Sequence, residues 1–436
     1  MEAVKVGLLG LGTVGGGTAT VLLRNAEEIQ ARLGRAIKIT HAAGLGIDSQ
    51  TILDPATTKL TEDAFEVVND PEVEIVVELI GGYTLAKDLV LKAIEYGKHV
   101  VTANKALIAI HGPEIMKTAA EQGVSVGYEA AVAGCIPIIK AMREGLAANK
   151  IQWIAGIING TGNFILTEMR DKGRDFADVL KEAQELGYAE ADPTFDVEGI
   201  DAAHKLTILA SLAFGIELQF DKAYTEGISK ITAEDVSYAG ELGYRIKHLG
   251  ITRKTDKGIE LRVHPTLIPK KRLIANVDGV MNAVLVYGDA VGPTLYYGAG
   301  AGAEPTASAV VADIIDAART IDAPLHHKVP LLGFQDDAMR DTPILSIDDV
   351  ETAYYLRMEA ADKPGVLAEV SDTFAKNNIS IEAVLQKEPA TGENSVHLIM
   401  LTQKCVESSV NHAIQAVENL SSVQGGVVRI RMEHLD

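Results

Sequence analysis

Short apolar runs alternate with amphipathic segments along the first third of the chain. The runs predict buried strands at Val4–Leu9, Ile37–Ala43, Ile75–Leu79, His99–Thr102 and Val124–Tyr128. Between them, Leu85–Tyr96 and Ile115–Gln122 carry apolar residues at helical spacing. Strands that alternate with helices predict a doubly wound α/β domain, whose parallel sheet binds ligands at the carboxyl ends of its strands. We place this domain at residues 1–134.

From about Cys135 onward, helices mix with isolated strands. Helical spacing covers Pro137–Leu146, Phe164–Arg170, Phe176–Leu186 and Asp201–Phe214. Strand-like runs cover Gln152–Ile158, Gly258–Val263, Asn282–Tyr287 and Thr294–Tyr297. The mixture predicts an α+β domain around an open sheet at residues 135–321. Its last helix, Thr306–Ile321, is expected to return and pack on the first domain.

The rest of the chain predicts a linker and a small third domain. Pro324, Pro330 and Pro343 stand among scattered aspartates in 322–350, which is typical of a linker. Strand, helix, strand, strand, helix and strand then follow at Ala353–Glu359, Gly365–Asn377, Ile381–Gln386, Ser395–Thr402, Val406–Asn419 and Gly426–Met432. This order is the ferredoxin-like arrangement, which we place at residues 351–436.

Composition narrows the possible partners. The 436 residues include 40 Lys and Arg against 60 Asp and Glu, a formal net charge of −20. This charge argues against a nucleic-acid or anionic-membrane partner, because phosphate binding needs clustered basic residues. The two cysteines, Cys135 and Cys405, are expected to be buried thiols of a cytoplasmic protein. The uncharged stretch Val6–Leu23 is long enough to span a membrane, but its glycines favour a strand, a turn and a helix.

A glycine-rich turn, Gly10–Gly15, joins the first predicted strand to the following helix. Gly10 permits a tight turn, Gly12 lets the backbone approach a pyrophosphate, and Gly15 lets helix and strand pack closely. The helix N-terminus offers N–H groups to the phosphates. The pattern predicts dinucleotide binding, and the alternative is a glycine-rich turn of a generic α/β domain.

The end of the second strand normally carries an acid for the cofactor ribose, or an arginine for a 2′-phosphate. Here Ile37–Ala43 is followed by 44–48, which has no arginine and whose Asp48 lies slightly late. We therefore expect NAD, or either NAD or NADP, as cofactor rather than strictly NADP.

Two lysines have positions suited to a catalytic site. Lys105 follows the fourth strand, where cofactor and substrate meet in such a sheet, although it could be a plain surface charge. Lys205 lies one helical turn after Asp201 among apolar neighbours, so the two side chains share a face. Five acids lie between Glu190 and Asp201 and could bind an ammonium-bearing substrate, or simply form an exposed loop. His204 points elsewhere and is expected to be structural.

Two more glycine-rich segments precede helices. In 159–163, Thr161 is a candidate helix cap or substrate contact. The segment 298–303 leads into Thr306–Ile321. Either could be a plain tight turn, but such helix entrances also suit a domain that closes over a dinucleotide.

Together these motifs resemble the homoserine dehydrogenase family, whose members interconvert aspartate semialdehyde and homoserine. The resemblance runs from Val4 to about Ile321 and includes GLGTVG, TANKA, NGTGNFIL, GYAEADPTFDVEGIDAAHK and GAGAGAEPT in the family's order. The segment Asp362–Leu367, after its strand, resembles an ACT domain, a small-molecule sensor of amino-acid biosynthetic enzymes. The resemblance implies a Rossmann-like domain, a catalytic and dimerisation domain, and an ACT domain. Since no kinase-like segment precedes the first strand, we expect the single-function form.

The resemblance also implies roles for individual residues. Lys205 would be the general acid and base, with Lys105 as its partner. Substrate would be bound by Glu190, Asp196 and Asp201, with Thr161 a further candidate. The cofactor contacts would be Gly10, Gly12, Thr13, Val14, Gly15, Ala103, Lys105, Gly187 and Gly302. Glu129 and the carbonyl groups of Val132, Gly134 and Ile136 would hold a structural monovalent cation, with sodium as the candidate ion. Asp362 and Gly365 would serve regulation. Relatives commonly carry Arg-Asp where this chain has Leu45-Gly46, which again argues against strict NADP use.

The implied reaction passes hydride from the nicotinamide to an aldehyde carbon, and a lysine ammonium stabilises and protonates the carbonyl oxygen. The ACT domain implies feedback control, with threonine as the expected effector in threonine, methionine and isoleucine biosynthesis, and a homo-oligomer. One alternative is another ACT-bearing dehydrogenase, such as one that acts on a 2-hydroxy acid. Such an enzyme needs a His paired with an acid and an Arg in its substrate domain, and no such set is evident here. A non-catalytic amino-acid sensor would have no reason to retain Lys105, Lys205 and Glu190 together.

Overall fold

The computed structural model describes residues 2–45, 52–321, 323, 329–387 and 395–436. Two positions discussed for the cofactor ribose, Gly46 and Asp48, lie outside the described residues. The chain divides into two compact units. The first comprises Met1–Gly160, Asp201–Ala223 and Val280–Thr342, and the second comprises Thr161–Ile200, Tyr224–Gly279 and Pro343–Asp436.

Strands and helices alternate through most of the chain. The strands are β1 (Val4–Leu9), β2 (Ile37–Ala43), β3 (Lys59–Thr61), β4 (Ile75–Glu78), β5 (His99–Thr102), β6 (Val126–Gly127), β7 (Ile151–Ile157), β8 (Tyr224–Thr225), β9 (Tyr244–Lys254), β10 (Ile259–Pro269), β11 (Met281–Gly288), β12 (Gly292–Ala299), β13 (Glu351–Ala361), β14 (Ile381–Gln386), β15 (Ser395–Thr402), β16 (Cys405–Val406) and β17 (Val423–Met432). The α-helices are α1 (Thr13–Arg24), α2 (Ala26–Leu33), α3 (Ala64–Asn69), α4 (Thr84–Glu95), α5 (Lys105–Gln122), α6 (Ile138–Lys140), α7 (Gly160–Lys172), α8 (Phe176–Glu185), α9 (Thr194–Val197), α10 (Ile200–Phe214), α11 (Ala233–Glu241), α12 (Ala303–Thr320), α13 (Val366–Lys376) and α14 (Glu407–Glu418).

A six-stranded parallel sheet forms the core of the first unit, in the order β3-β2-β1-β4-β5-β6. The predicted doubly wound sheet is confirmed. Strand β1 lies between β2 and β4, so the strand order reverses there and a crevice opens at the carboxyl end of β1. Strand β6 is shorter than predicted, because the chain turns into a 3₁₀ helix at Glu129–Ala131.

Helix α12 packs against α1 within the same unit. A Cβ on Gly17 would lie 2.6 Å from the carbonyl oxygen of Ala303, so the two backbones meet where α1 has no side chain. Arg24 and Glu304 add a bidentate ion pair at 2.8 and 3.0 Å. The apolar side of α12, including Val310 and Ile314, is buried in the same core as β1. A second, antiparallel sheet of the unit has the order β12-β11-β7.

In the second unit, strands pair in the order β9-β10-β17-β13-β15-β14, and the short strands β8 and β16 pair with β10 and β13, respectively. Strands β13, β14, β15 and β17 with α13 and α14 form the predicted ferredoxin-like arrangement, which is confirmed. Its core includes Tyr354, Phe374 and Met400, all fully buried. Strand β17 pairs antiparallel with β13 and parallel with β10, so the last strand belongs to both parts of the sheet.

Several local features differ from the predictions or refine them. The described part of 322–350 contains two 3₁₀ turns and short bridges from Arg340 to Ile216 and from Ile344 to Ile259. Cys405 is buried as expected, but Cys135 is only half-buried, although it lies in a turn whose other residues are buried. Val6–Leu23 forms strand, turn and helix. Within the described ranges, no helix has both the length and the apolar composition that crossing a bilayer requires.

Candidate active site

The turn between β1 and α1 has the geometry that its glycines predict. Gly10 has a φ of 94°, and a Cβ there would lie 2.6 Å from the carbonyl oxygen of Leu79. A Cβ on Gly15 would lie 1.9 Å from the carbonyl oxygen of Gly10, so only glycine lets α1 start this close to the turn. A Cβ on Gly12 would meet nothing within 4 Å. The space at the N-terminus of α1 is therefore open to a ligand, and Thr13 and Val14 form its first turn.

A cavity of about 830 Å³ opens beside this turn. Its lining is mostly glycine and apolar side chains from the ends of β1, β2 and β4, with two acids, Glu62 and Asp63. No lysine or arginine belongs to its described lining. Leu45 lies at its rim and is 92% exposed. These walls suit the adenosine half of a dinucleotide.

Buried polar side chains fix the carboxyl ends of β4 and β5. The Thr102 hydroxyl donates to the Glu78 carboxylate at 2.7 Å. The other Glu78 oxygen accepts the backbone N–H groups of Ile80 at 2.9 Å and Gly81 at 3.1 Å. Glu78 thereby shapes the loop after β4 and holds the residue before Ala103, a predicted cofactor contact.

Asn104 begins α5 as its N-cap, because its side chain accepts the backbone N–H of Leu107 at 3.0 Å. The cap makes Lys105 the first residue of the helix, at the carboxyl edge of the parallel sheet. Its side chain is 41% exposed, and its ammonium nitrogen lies 2.9 Å from the Asp201 carboxylate. Lys105 is therefore no isolated surface charge.

Asp201 lies between the two predicted catalytic lysines. Its Oδ1 contacts Lys105 Nζ, and its Oδ2 accepts from Lys205 Nζ at 2.6 Å, as the i,i+4 spacing predicts. Lys205 also donates to the carbonyl oxygen of Ile158 at 2.8 Å, just after β7. The Asn159 amide donates to Asp201 Oδ2 at 2.9 Å. Both carboxylate oxygens of Asp201 are thus bound to cations or amides of the first unit.

The electrostatics of this cluster follow from burial and charge. Burial alone would raise the pKa of the Asp201 carboxyl, but Lys205, Lys105 and the hydrogen bonds outweigh burial and hold that pKa far below its usual range. Asp201 is therefore an anion at any physiological pH. The Lys205 side chain is only 10% exposed, against 41% for Lys105, so Lys205 is the more sheltered of the two cations.

His204 is turned away from this cluster, as expected. It is 3% exposed, and its ring stacks on Phe220 with the centroids 4.1 Å apart. Burial lowers the pKa of His204 to about 4, so the ring is neutral at pH 7.

The remaining predicted substrate residues lie in the second unit. Thr161 is inside the first turn of α7 and is not its cap, which corrects that expectation, because the helix already starts at Gly160. Its hydroxyl instead donates to the carbonyl oxygen of Tyr188 at 2.5 Å. Gly187 has a φ of 73° in the turn after α8. Glu190 is exposed, and Asp196 is half-buried in α9.

Glu129 has a structural role of its own. Its buried carboxylate accepts the backbone N–H groups of Ile139 at 2.8 Å and Lys140 at 2.7 Å, at the start of α6. The next turn, with φ of 55° at Ala133 and Gly134, carries the other predicted cation ligands, Val132, Gly134 and Ile136. Among the described residues, no three His, Cys, Asp or Glu side chains are placed to hold a metal. A cation here would depend on carbonyl oxygens, which suits a hard ion.

Two predicted residues stand at helix entrances. Gly302 is the N-cap of α12 with a φ of 132°. Gly365 is the N-cap of α13 with a φ of 96°, and Asp362 is exposed in the loop before it. No role was predicted from the sequence for three groups at the site: the carbonyl oxygen of Ile158 and the side chains of Glu78 and Asn159. An acid ending a buried strand was the available signal for Glu78.

The dinucleotide turn, the cavity beside it and the lysine–aspartate–lysine cluster define an NAD(P)-dependent oxidoreductase. Comparison with known families names it more closely. The NAD-binding domain of homoserine dehydrogenase matches residues 10–129, the homoserine dehydrogenase domain matches 137–315, and the ACT domain matches 354–421. The chain belongs to the homoserine dehydrogenase family, enzymes that interconvert L-aspartate 4-semialdehyde and L-homoserine.

Individual relatives agree with this assignment. Homoserine dehydrogenase of Pseudomonas aeruginosa is 64% identical over 436 residues, covering 100% of each chain. The crystal structure of a homoserine dehydrogenase from Thiobacillus denitrificans has 63% identity and a TM-score of 0.94, covering 100% of this chain and 99% of that one. A hyperthermophilic archaeal homoserine dehydrogenase, solved in complex with NADPH, has 25% identity and a TM-score of 0.62, covering 74% of this chain and 99% of that one.

Proposed function

We propose that Lys205 is the general acid and base of the homoserine dehydrogenase reaction in this chain, and that Lys105 is its partner. The observation that carries the proposal is the Asp201 carboxylate bound by both ammonium groups, at 2.6 Å and 2.9 Å. A buried ammonium is otherwise costly, and a carboxylate beside it offsets much of that cost. The chain thus maintains two cations close together, one sheltered and one partly exposed.

A bound nicotinamide supplies or accepts the hydride at the substrate carbon. During reduction, negative charge develops on the carbonyl oxygen of the semialdehyde, and the Lys205 ammonium stabilises that charge and donates the proton. During oxidation, Lys205 acts as the neutral amine, and its nitrogen accepts the hydroxyl proton of homoserine and becomes the ammonium. Lys105, which is more exposed, orients the substrate oxygen. Asp201 fixes the positions of both lysines, and it is also proposed as a substrate-binding acid together with Glu190 and Asp196.

The substrate ammonium is assigned to Glu190 and Asp196, and Thr161 contributes a hydroxyl. The support is chemical: acids on an exposed loop and on α9 complement a positively charged amino group. Replacing Asp196 by Asn should raise the KM for homoserine and leave the KM for the dinucleotide unchanged.

We propose that the enzyme uses NAD(H) at least as readily as NADP(H). Positions 44–51 contain no lysine or arginine, and the described lining of the cavity carries Glu62 and Asp63. A 2′-phosphate would lack a cation there, whereas ribose hydroxyls would find acceptors. Gly10, Gly12, Gly15, Ala103, Gly187 and Gly302 are proposed as contacts of this cofactor.

Regulation, assembly and location complete the proposal. The ACT domain would bind an amino acid, with threonine as our candidate. Asp362 and Gly365 would lie near that effector site. The protein would assemble as a homo-oligomer. A structural sodium ion at Glu129 and the following carbonyls remains part of the proposal. Two free cysteines fit a reducing compartment such as the cytoplasm.

The test is steady-state reduction of aspartate 4-semialdehyde with NADH and with NADPH by wild type, Lys205→Met and Lys98→Met. Lys98 is a matched control, since it is buried in the same unit and donates to the carbonyl oxygens of Asp70 and Val73. We expect Lys205→Met to lose roughly 100- to 10,000-fold in kcat, the usual worth of general acid–base catalysis. Near-normal turnover of Lys205→Met would overturn the assignment.

A further inference from the structure

Strand β17 links the ACT domain to β10 inside the second unit. It pairs with β13 along most of its length, and at its end Arg431 and Met432 pair with Thr266 and Leu267 of β10. The family profile of the ACT domain ends at residue 421, before this strand begins. The pairing of β17 with β10 therefore lies outside the segment that matches the ACT domain.

Arg431, on β17, is a buried junction of ion pairs. It is 1% exposed and binds Glu407, at the start of α14, through both carboxylate oxygens. Its Nη1 donates to Glu226 Oε2 at 2.7 Å, and Arg429 lies 3.9 Å from the same oxygen. The Tyr224 hydroxyl also donates to Glu226 at 2.7 Å. Burial alone would raise the pKa of Glu226, but Arg431 outweighs it and lowers that pKa, so Glu226 stays ionised.

Glu226 also begins a short loop, residues 226–229, whose far end contacts α9 and the residue after it. The backbone N–H of Ile228 donates to the carbonyl oxygen of Val197 at 2.9 Å. The Ser229 hydroxyl donates to the Glu198 carboxylate at 2.7 Å. Val197 and Glu198 directly follow Asp196 in the chain. The loop is therefore held at its first residue by Arg431 and by the backbone bond from Glu226 N–H to the carbonyl oxygen of Val263 at 2.8 Å, and its other end holds the Asp196 segment.

The loop has little room to move independently of this segment. A Cβ on Gly227 would lie 2.7 Å from the carbonyl oxygen of Val197, so the two backbones are in direct contact. The carbonyl oxygen of Glu226 lies 2.9 Å from Nε2 of His248, which fixes the loop against β9. A shift of Glu226 would therefore reach Asp196 through backbone contacts.

We propose that Glu226 and Arg431 are positioning residues, through which the ACT domain sets the orientation of Thr194–Val197 for the substrate. The inference rests on the proposed function only in giving Asp196 the role of binding the substrate ammonium. That the ACT domain holds Thr194–Val197 in place follows from the contacts of Arg431 with Glu226 and of Ile228 with Val197 alone. It provides the route by which any ligand that moves β17 changes the affinity for substrate.

The test uses full-length Glu226→Gln, which keeps the shape of the side chain, and Arg431→Lys, which keeps the charge but not the bidentate pairing with Glu407. Arg357→Lys is the matched control. Arg357 on β13 also pairs with a buried acid outside the ACT domain, Asp235 at 2.7 Å, but does not touch loop 226–229. Hydrogen–deuterium exchange is followed at the amides of Val197, Glu198 and Ile228. We expect exchange there to rise roughly 3- to 30-fold in the first two variants and to stay unchanged in the control.

Kinetics of homoserine oxidation supply the second readout. The Glu226 and Arg431 variants should each raise the KM for homoserine by a similar factor. Their kcat and their KM for dinucleotide should stay within about twofold of wild type. The double variant should have a KM for homoserine no higher than that of either single variant, because both changes break the same contact. Unchanged exchange in both variants, or an equal rise in Arg357→Lys, overturns the inference. Increased exchange with an unchanged homoserine KM leaves the positioning contact intact and instead refutes the substrate role of Asp196.

Discussion

Replacing Asp201 by Asn removes the charge that holds the two lysines together. Lys105 and Lys205 would then face a neutral amide from 2.9 Å and 2.6 Å, while repelling each other across a mostly buried space. Asn has nearly the same shape, so the change tests charge rather than packing. The Asn159 amide would also have to donate to an amide oxygen instead of a carboxylate.

The size of the effect follows from the bonds that are lost. A hydrogen bond to a charged group is worth about 1.5–3 kcal/mol. If that energy orients Lys205 in the transition state, its loss lowers kcat roughly 10- to 150-fold, at tenfold per 1.36 kcal/mol. Stability should also fall, by roughly 3–5 kcal/mol at most, since a buried ion pair is broken.

The assay is kcat in both directions at pH 7, together with dinucleotide affinity from fluorescence titration. We expect kcat to fall much more than dinucleotide affinity, because the glycine turn is untouched and only the Lys105 contact is disturbed. The folded pKa of Asp201 lies below its unfolded value, so its stabilising effect is present above about pH 4 and is lost only as pH falls further. Asp201→Asn retaining kcat within twofold of wild type would refute the reasoning.

Three further predictions concern packing, pH and cofactor choice. Gly17→Ala should lower the free energy of unfolding by roughly 1–3 kcal/mol, since its Cβ would lie 2.6 Å from the Ala303 carbonyl oxygen. Gly16→Ala, with its nearest contact at 3.9 Å, is the control in thermal melts, and equal melting temperatures would contradict the packing. Burial lowers the pKa of His204 to about 4, so its neutral form favours folding above pH 6.5, and up to about 3 kcal/mol is lost as pH falls toward 4. His204→Phe should therefore flatten stability between pH 7 and 5 in urea titrations, and an unchanged slope would count against this. Leu45→Arg should lower the KM for NADP(H) roughly tenfold with little change for NAD(H), and equal changes for both would show that Leu45 is far from the 2′ position.

The parts of the fold that the sequence predicted are those with local signals. β1, β4 and β5 are apolar runs buried on both faces, so their pattern is continuous. The ACT strands and helices alternate in a clear order. The pairing of Asp201 with Lys205 followed from helical spacing alone.

The predictions failed where burial depends on distant partners. β10 was predicted to stop at Val263, but it continues to Pro269 with Arg262 and His264 fully buried. Arg262 is paired with Glu433, which is 171 residues away, so no local pattern shows that this strand is buried through its charged residues. β9 was missed for the same reason, because Lys247 is buried against Asp278 and neighbouring carbonyls.

The site shows the same division. Lys105 and Asp201 lie 96 positions apart in sequence, and no local pattern could place them at 2.9 Å. The first half of α5 was missed because Pro113 interrupts its pattern, although the helix runs through it. The family resemblance pointed to two lysines that share the Asp201 carboxylate in the structure, while the bonds from Asn159 to Asp201 and from Lys205 to the carbonyl oxygen of Ile158 have no local signal in the sequence.

Chemical rescue tests the central claim most directly. Lys205→Ala leaves a space that a small primary amine such as ethylamine can enter, and the Lys98→Ala variant controls for effects of the amine elsewhere. If Lys205 is the acid and base, Lys205→Ala is nearly inactive, and added ethylamine restores homoserine oxidation in a saturable way, with no gain for Lys98→Ala or wild type. Turnover of Lys205→Ala near the wild-type rate without any amine would contradict this role of Lys205.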